Sequence, residues 1–160
     1  MADKKKKTGK KAEMLTARAV CDIALKEDRF DFTRNTTTNT PDLGADLILH
    51  CPENTGEKMK EIAETGESTI ELEGKSTQIR IDAKDPKDKV QKDDAKKFVG
   101  DIRKHPLVSE HWLVGGKSLT APARKFIEEN TDWATVRYFS QNEIEKIATY
   151  YQSLPDPDDE

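Results

Sequence analysis

A carboxylate followed two residues later by a lysine can set a metal ligand beside a positive charge. The chain carries that spacing five times, at Asp3, Glu73, Asp82, Asp85 and Asp94. Context separates them. Asp3 lies in a lysine run, Glu73 in a turn sequence, Asp85 before Pro86, and Asp94 on the charged side of a helical pattern. Only Asp82 ends a stretch, Gln78-Ile79-Arg80-Ile81-Asp82-Ala83-Lys84, that alternates polar and apolar with period two. That alternation is the signature of a half-buried strand. Ile79, Ile81 and Ala83 are expected on one face, and Gln78, Arg80, Asp82 and Lys84 on the other. A second carboxylate, Asp46, falls in a neighbouring predicted strand, after Gly44-Ala45.

These residue types suit phosphodiester hydrolysis. A hard cation needs oxygen ligands, which Asp46, Asp82 and the Ala83 carbonyl could supply to Mg²⁺, with Mn²⁺ able to substitute. Such an ion lowers the pKa of bound water and offsets charge on the phosphate. Lys84 could orient the water or stabilise the transition state. The plain alternative is that Asp82 and Lys84 form an exposed ion pair on a sheet surface.

The elements that must position these groups follow from pattern. The chain has 160 residues, 34% hydrophobic and 36% charged, with net charge −4. That length suits one domain. Residues 1–11 are lysine-rich and are expected to form a disordered basic tail, residues 12–153 the folded domain, and 154–160 an acidic tail. Residues 11–25 read as a helix, with Ala17, Val20 and Ala24 on one face and Glu13 at its edge. Short strands are expected over 29–36 and 43–50. Residues 53–67 read as a charged insertion with a helical turn or two around 58–63. Residues 68–84 read as a β-hairpin turning at Glu73-Gly74-Lys75. An amphipathic helix is expected over 88–104, with Lys89, Lys92 and Lys96 off its apolar stripe. A strand over 111–114, a helix over 120–130, a strand over 134–139 and a helix over 142–152 complete the order. Strand–helix alternation of this kind predicts an α/β sandwich with a mixed central sheet.

Other classes are excluded or weakened. Two cysteines, Cys21 and Cys51, without a CxxC, indicate neither a disulfide framework nor a zinc site. Cys21 is expected as a small buried side chain. No apolar run approaches a membrane span, and the basic start lacks the apolar core of a signal peptide, so a soluble cytoplasmic protein is expected. His50, His105 and His111 have no ligand spacing, and Trp112 and Trp133 are expected in the core.

The chain resembles the PD-(D/E)xK nuclease superfamily, most of all its Mrr-like, type IV restriction endonuclease branch. The residues that carry the likeness are Asp42-Leu43-Gly44-Ala45-Asp46, Ile79 to Lys84, the basic helix and the strand ending at Gly116. They continue with Leu119-Thr120-Ala121-Pro122-Ala123-Arg124-Lys125-Phe126 and Val136-Arg137-Tyr138-Phe139. The likeness spans residues 13–147. It implies a restriction-endonuclease-like three-layer sandwich and a Mg²⁺-dependent DNA endonuclease. By the same likeness Asp46 and Asp82 are metal ligands, Lys84 serves the water, and Glu13 is a helix glutamate near the metal. Pro41-Asp42 is a literal "PD", which makes Asp42 a rival to Asp46. Many relatives of the branch have glutamine where Asp82 stands. Lys89, Lys92, Lys96, Lys97 and Lys117 are the expected phosphate contacts, and a homodimer is the expected assembly for cutting both strands. The alternative is a non-catalytic nucleic-acid-binding or subunit-interaction module that keeps the fold.

Overall fold

A helix and two consecutive strands come first, helix and strand then alternate, and the strands assemble in the order in which they occur. The computed structural model describes residues 2–35, 46–84 and 88–156; for residues 2–11, Asn35 and Asp46 the backbone alone is described. The elements are α1 (Ala2–Lys26), β1 (Asp31–Asn35), β2 (Asp46–Pro52), α2 (Thr55–Thr65), β3 (Ser76–Ala83), α3 (Lys92–Arg103), β4 (Glu110–Val114), α4 (Ala121–Asn130), β5 (Thr135–Phe139) and α5 (Gln141–Ser153). The five strands form one sheet in the order β1-β2-β3-β4-β5. β1 pairs antiparallel with β2 and β2 antiparallel with β3, whereas β4 and β5 are added parallel to β3. Parallel neighbours need crossover connections, which α3 and α4 provide. The fold is α/β, with a mixed five-stranded sheet flanked by helices.

Two apolar clusters cover the two faces. One joins Ala19, Val20 and Ile23 of α1, Met59 and Ile62 of α2 and Ile147 and Tyr151 of α5 to Leu47, Leu49, Ile79, Ile81 and Trp112 of the sheet. The other joins Phe98, Val99 and Ile102 of α3 and Ala123 and Ile127 of α4 to Leu113. Local chemistry sets the helix ends. Thr120 caps α4 by accepting from the Ala123 N–H, and Pro122 sits in the first turn, where no N–H is needed. Ser140 and Glu143 cap α5 reciprocally. Gly66 closes α2 at φ +88°, its N–H donating to Ile62 O.

Several sequence expectations are corrected. β3 is not half-buried: Ile79, Arg80, Ile81 and Asp82 are all buried, because helices cover both faces of a strand third in a sheet of five. The expected hairpin is absent. Residues 67–73 form no strand; Asn54 instead holds them through its amide, donating to Glu71 O and accepting from Glu73 N–H. The antiparallel neighbour of β3 is β2. The expected insertion is a core helix, α2, with Met59, Ile62 and Ala63 buried. Helix α1 starts at Ala2, within the residues expected as a basic tail. Lysine is a good helix former, and the packed second half of α1 supplies the nucleus. Helix α3 starts at Lys92, which leaves Lys89 in the connection before it. Cys21 and Trp133 are exposed, whereas Trp112 and Cys51 are buried.

Candidate functional site

Asp82 and Lys84 stand where β3 ends, and every other strand reaches the same end of the sheet. β1 finishes there, β2 begins there, and β4 and β5 finish there. The last antiparallel pair of β2 and β3 is Leu47 with Ile81. One step further along that register, Asp46 and Asp82 come opposite each other. The expected rival Asp42 lies outside the described residues, as do Pro41, Gly44 and Ala45.

The environment of Asp82 is cationic. Its Oδ1 lies 3.5 Å from Lys84 Nζ, and its Oδ2 lies 3.8 Å from Arg80 Nη1. Asp82 is 7% exposed. It shares the α3 face of the sheet with Arg80, whose guanidinium stacks 5.7 Å from the Phe98 ring centroid. The Lys84 N–H donates to Val114 O, so that peptide is tied to β4. Among the described residues no peptide bond is cis. In a trans peptide the carbonyl points opposite to the N–H. The Ala83 carbonyl therefore points towards β2, the strand that begins with Asp46.

Glu13 is held elsewhere. It is ion-paired with Arg34 of β1, and Arg34 pairs with Leu47 in the ladder. Leu47 belongs to the α1 face. Glu13 and Asp82 thus approach the same sheet end from opposite faces.

The connections leaving β3 and β4 run side by side. Val90 pairs with Leu119, the Val90 N–H donates to Ser118 O, and the Lys117 N–H donates to Asp88 O. This backbone lacing brings Lys89 and Lys117 to the sheet end that carries Asp82 and Lys84. Lys89, Lys92, Lys96, Lys97 and Lys117 are all exposed. Lys117 also lies 3.6 Å from Asp88, a surface pair of little energetic weight. Gly115 locks the Lys84 backbone in place. It adopts φ +127°, and a Cβ there would meet Lys84 O at 1.7 Å. The Tyr138 hydroxyl donates to Gly115 O at 2.5 Å, and burial raises its pKa well above the usual phenol value, so it stays a donor.

Among the described residues no group of three or more His, Cys, Asp and Glu is arranged to hold a metal ion. The Asp46 side chain falls outside that description. The remaining candidate ligands are all of the oxygen type that suits a hard divalent cation: the Asp82 carboxylate and the Ala83 carbonyl lie at one strand end, and the backbone of residue 46 takes the register position opposite Asp82. No described helix is long and apolar enough to cross a membrane.

Sequence reasoning missed two residues beside the site, Arg80 and His111. The signal was present: Arg80 lies between Ile79 and Ile81, and His111 precedes Trp112-Leu113-Val114. A polar residue inside such runs is buried once the strand is central rather than at an edge. No protein-family model matches the chain, and a search of curated proteins finds no match either.

Proposed function

We propose that this chain is a divalent-metal-dependent DNA endonuclease with a restriction-endonuclease-like fold. The observation that carries the reading is the meeting of Asp82, Lys84 and the register position of Asp46 at one end of the sheet, below the lysines of the laced connections. Residues opposite each other in an antiparallel ladder share a face, which suits two carboxylates serving one ion. The strand order, antiparallel for three strands and then parallel for two, is in keeping with that fold. Folds host unrelated functions, so the weight rests on the site.

In this reading Asp46, Asp82 and the Ala83 carbonyl would hold Mg²⁺ or Mn²⁺. When bound, the ion lowers the pKa of a bound water and offsets negative charge on the phosphate. Lys84 acts from the same strand end. Its ammonium, 3.5 Å from Asp82 Oδ1, is held where it can donate to the attacking water or to a phosphate oxygen whose charge rises. Lys89, Lys92, Lys96, Lys97 and Lys117 contact phosphates, which position the duplex without reading its sequence. Glu13, ion-paired with Arg34 on the other face, is left out of the ligand set of this reading. One set of these groups cuts one strand at a time, so double-strand cleavage calls for two copies, most simply a two-fold homodimer.

Plasmid nicking tests the reading. Purified chain with Mg²⁺ should convert supercoiled plasmid to open circles, and EDTA should stop it. Binding to DNA without cleavage in Mg²⁺ or Mn²⁺ would refute the enzyme and leave a binding module.

A further inference from the structure

Arg80 is a charged side chain with no exposed surface. Its guanidinium has these neighbours among the described residues. Its Nε donates to His111 Nδ1 at 3.1 Å, its Cζ stacks on Phe98, and its Nη1 faces Asp82 Oδ2. His111 is itself fixed: its Nε2 lies 3.1 Å from the Val108 carbonyl. A carbonyl can only accept, so Nε2 carries the ring proton and Nδ1 is the acceptor that the Arg80 N–H requires. Burial, together with the Arg80 charge, lowers the His111 pKa to about 4, which keeps the ring neutral and able to accept.

The result is a chain of contacts, Val108–His111–Arg80–Asp82, that ends on one oxygen of the carboxylate. The other oxygen, Oδ1, faces Lys84. We propose that Arg80, aimed by His111, is a positioning residue for the cation site: it turns Asp82 so that Oδ2 faces inward and Oδ1 is presented, beside Lys84, to the divalent ion. The inference rests on the metal-site reading above and assigns a role to two residues outside the ligand set. A rigid planar guanidinium suits this task, because it holds several donors in one fixed geometry.

Two substitutions at one position separate aiming from mere packing. His111→Asn keeps an acceptor near the place of Nδ1, whereas His111→Phe keeps a ring and removes the acceptor. Mn²⁺ affinity of the full chain, read by electron paramagnetic resonance, is the measurement. Loss of a residue that orients a ligand commonly costs about 10–100-fold in affinity, so His111→Phe should bind Mn²⁺ at least about tenfold more weakly and His111→Asn within about threefold of wild type. The ¹⁵N spectrum of wild type should show His111 neutral and protonated on Nε2. If His111→Phe does not fold, Arg80→Lys, which keeps the charge and loses the Nε donor, should show the same weakening. Wild-type affinity in His111→Phe, equal losses in both His111 variants, wild-type affinity in Arg80→Lys, or an Nδ1–H tautomer would each overturn the proposal. A wild-type chain that binds no Mn²⁺ overturns this proposal and the metal site together. A chain that binds Mn²⁺ with the expected pattern and cuts no DNA overturns the nuclease alone.

Discussion

Gly115→Ala should be far more damaging than a methyl group suggests. The residue adopts φ +127°, and its Cβ would lie 1.7 Å from Lys84 O and 2.8 Å from Lys84 C. Both obstructing atoms are backbone, so no side-chain rotation relieves the clash. The position is also pinned from the other side, since the Gly115 N–H donates to Phe139 O at 3.0 Å. The left-handed conformation alone costs about 1–2 kcal/mol for a residue with a Cβ. Overpacking typically adds about 1–3 kcal/mol. Relief would have to move the β3 end and break the Lys84 N–H bond to Val114 O. The total is then roughly 2–5 kcal/mol. Gly66→Ala is the internal control: φ is +88°, yet a Cβ there meets nothing within 4 Å. It should cost only the conformational part, about 1–2 kcal/mol. Urea denaturation of the two variants, compared at equal slope, gives the difference directly. A Gly115→Ala chain no less stable than Gly66→Ala would refute the close packing of Gly115 on Lys84.

Lys84→Ala should retain Mn²⁺ binding and lose cleavage by about 10²-fold or more in single-turnover assays; unchanged cleavage would reduce Lys84 to a structural charge. Replacing Lys89, Lys92 and Lys96 together with alanine should weaken binding to all DNA sequences alike and flatten the dependence of log K on log salt, as measured by fluorescence anisotropy. An unchanged slope would move the DNA path off this surface. His111 sets a pH dependence of folding. Its pKa falls from 6.5 to about 4 in the folded chain, so the unfolded chain binds more protons between those values. The stabilisation is complete above about pH 6.5 and declines as the pH falls towards 4, by roughly 3 kcal/mol in total. Urea midpoints across that range should show the decline in wild type and a shallower one in His111→Asn.

The parts legible in the sequence were those governed by local chemistry. The helices expected over 120–130 and 142–152 formed within a residue of their expected starts, and the strands expected over 111–114 and 134–139 formed too. Position in the sheet was not legible. The alternation of residues 78–84 is the same for a strand with one wet face and for one covered on both, so Arg80 read as a surface residue. The alternation in Thr69-Ile70-Glu71-Leu72 misled in the opposite direction. Ile70 and Leu72 are half-buried without any ladder, and it is the Asn54 amide that holds that segment. Of the candidate site, the Asp82–Lys84 pairing followed from spacing, since the two share a strand face. The separation of Glu13 from that face depended on which side of the sheet α1 covers, a tertiary fact that spacing does not encode.

The C-terminal end of α1 is fastened to α5 and the residues after it. Lys26 donates to Leu154 O and to Asp156, Gln152 donates to Asp22, and the Tyr151 hydroxyl donates to Glu27. Synthesis therefore finishes the molecule unevenly. The apolar cluster under α3 and α4 is complete once Tyr138 has emerged, whereas the cluster on the other face awaits Ile144, Ile147 and Tyr151. Until then the nascent chain bears a greasy wall made by α1, α2 and the sheet, the kind of surface on which growing chains stick to one another. A truncation before Ile144 would make that passing hazard permanent, yielding a protein whose sheet end is fully spelled out but which is cleared by proteases before it can act.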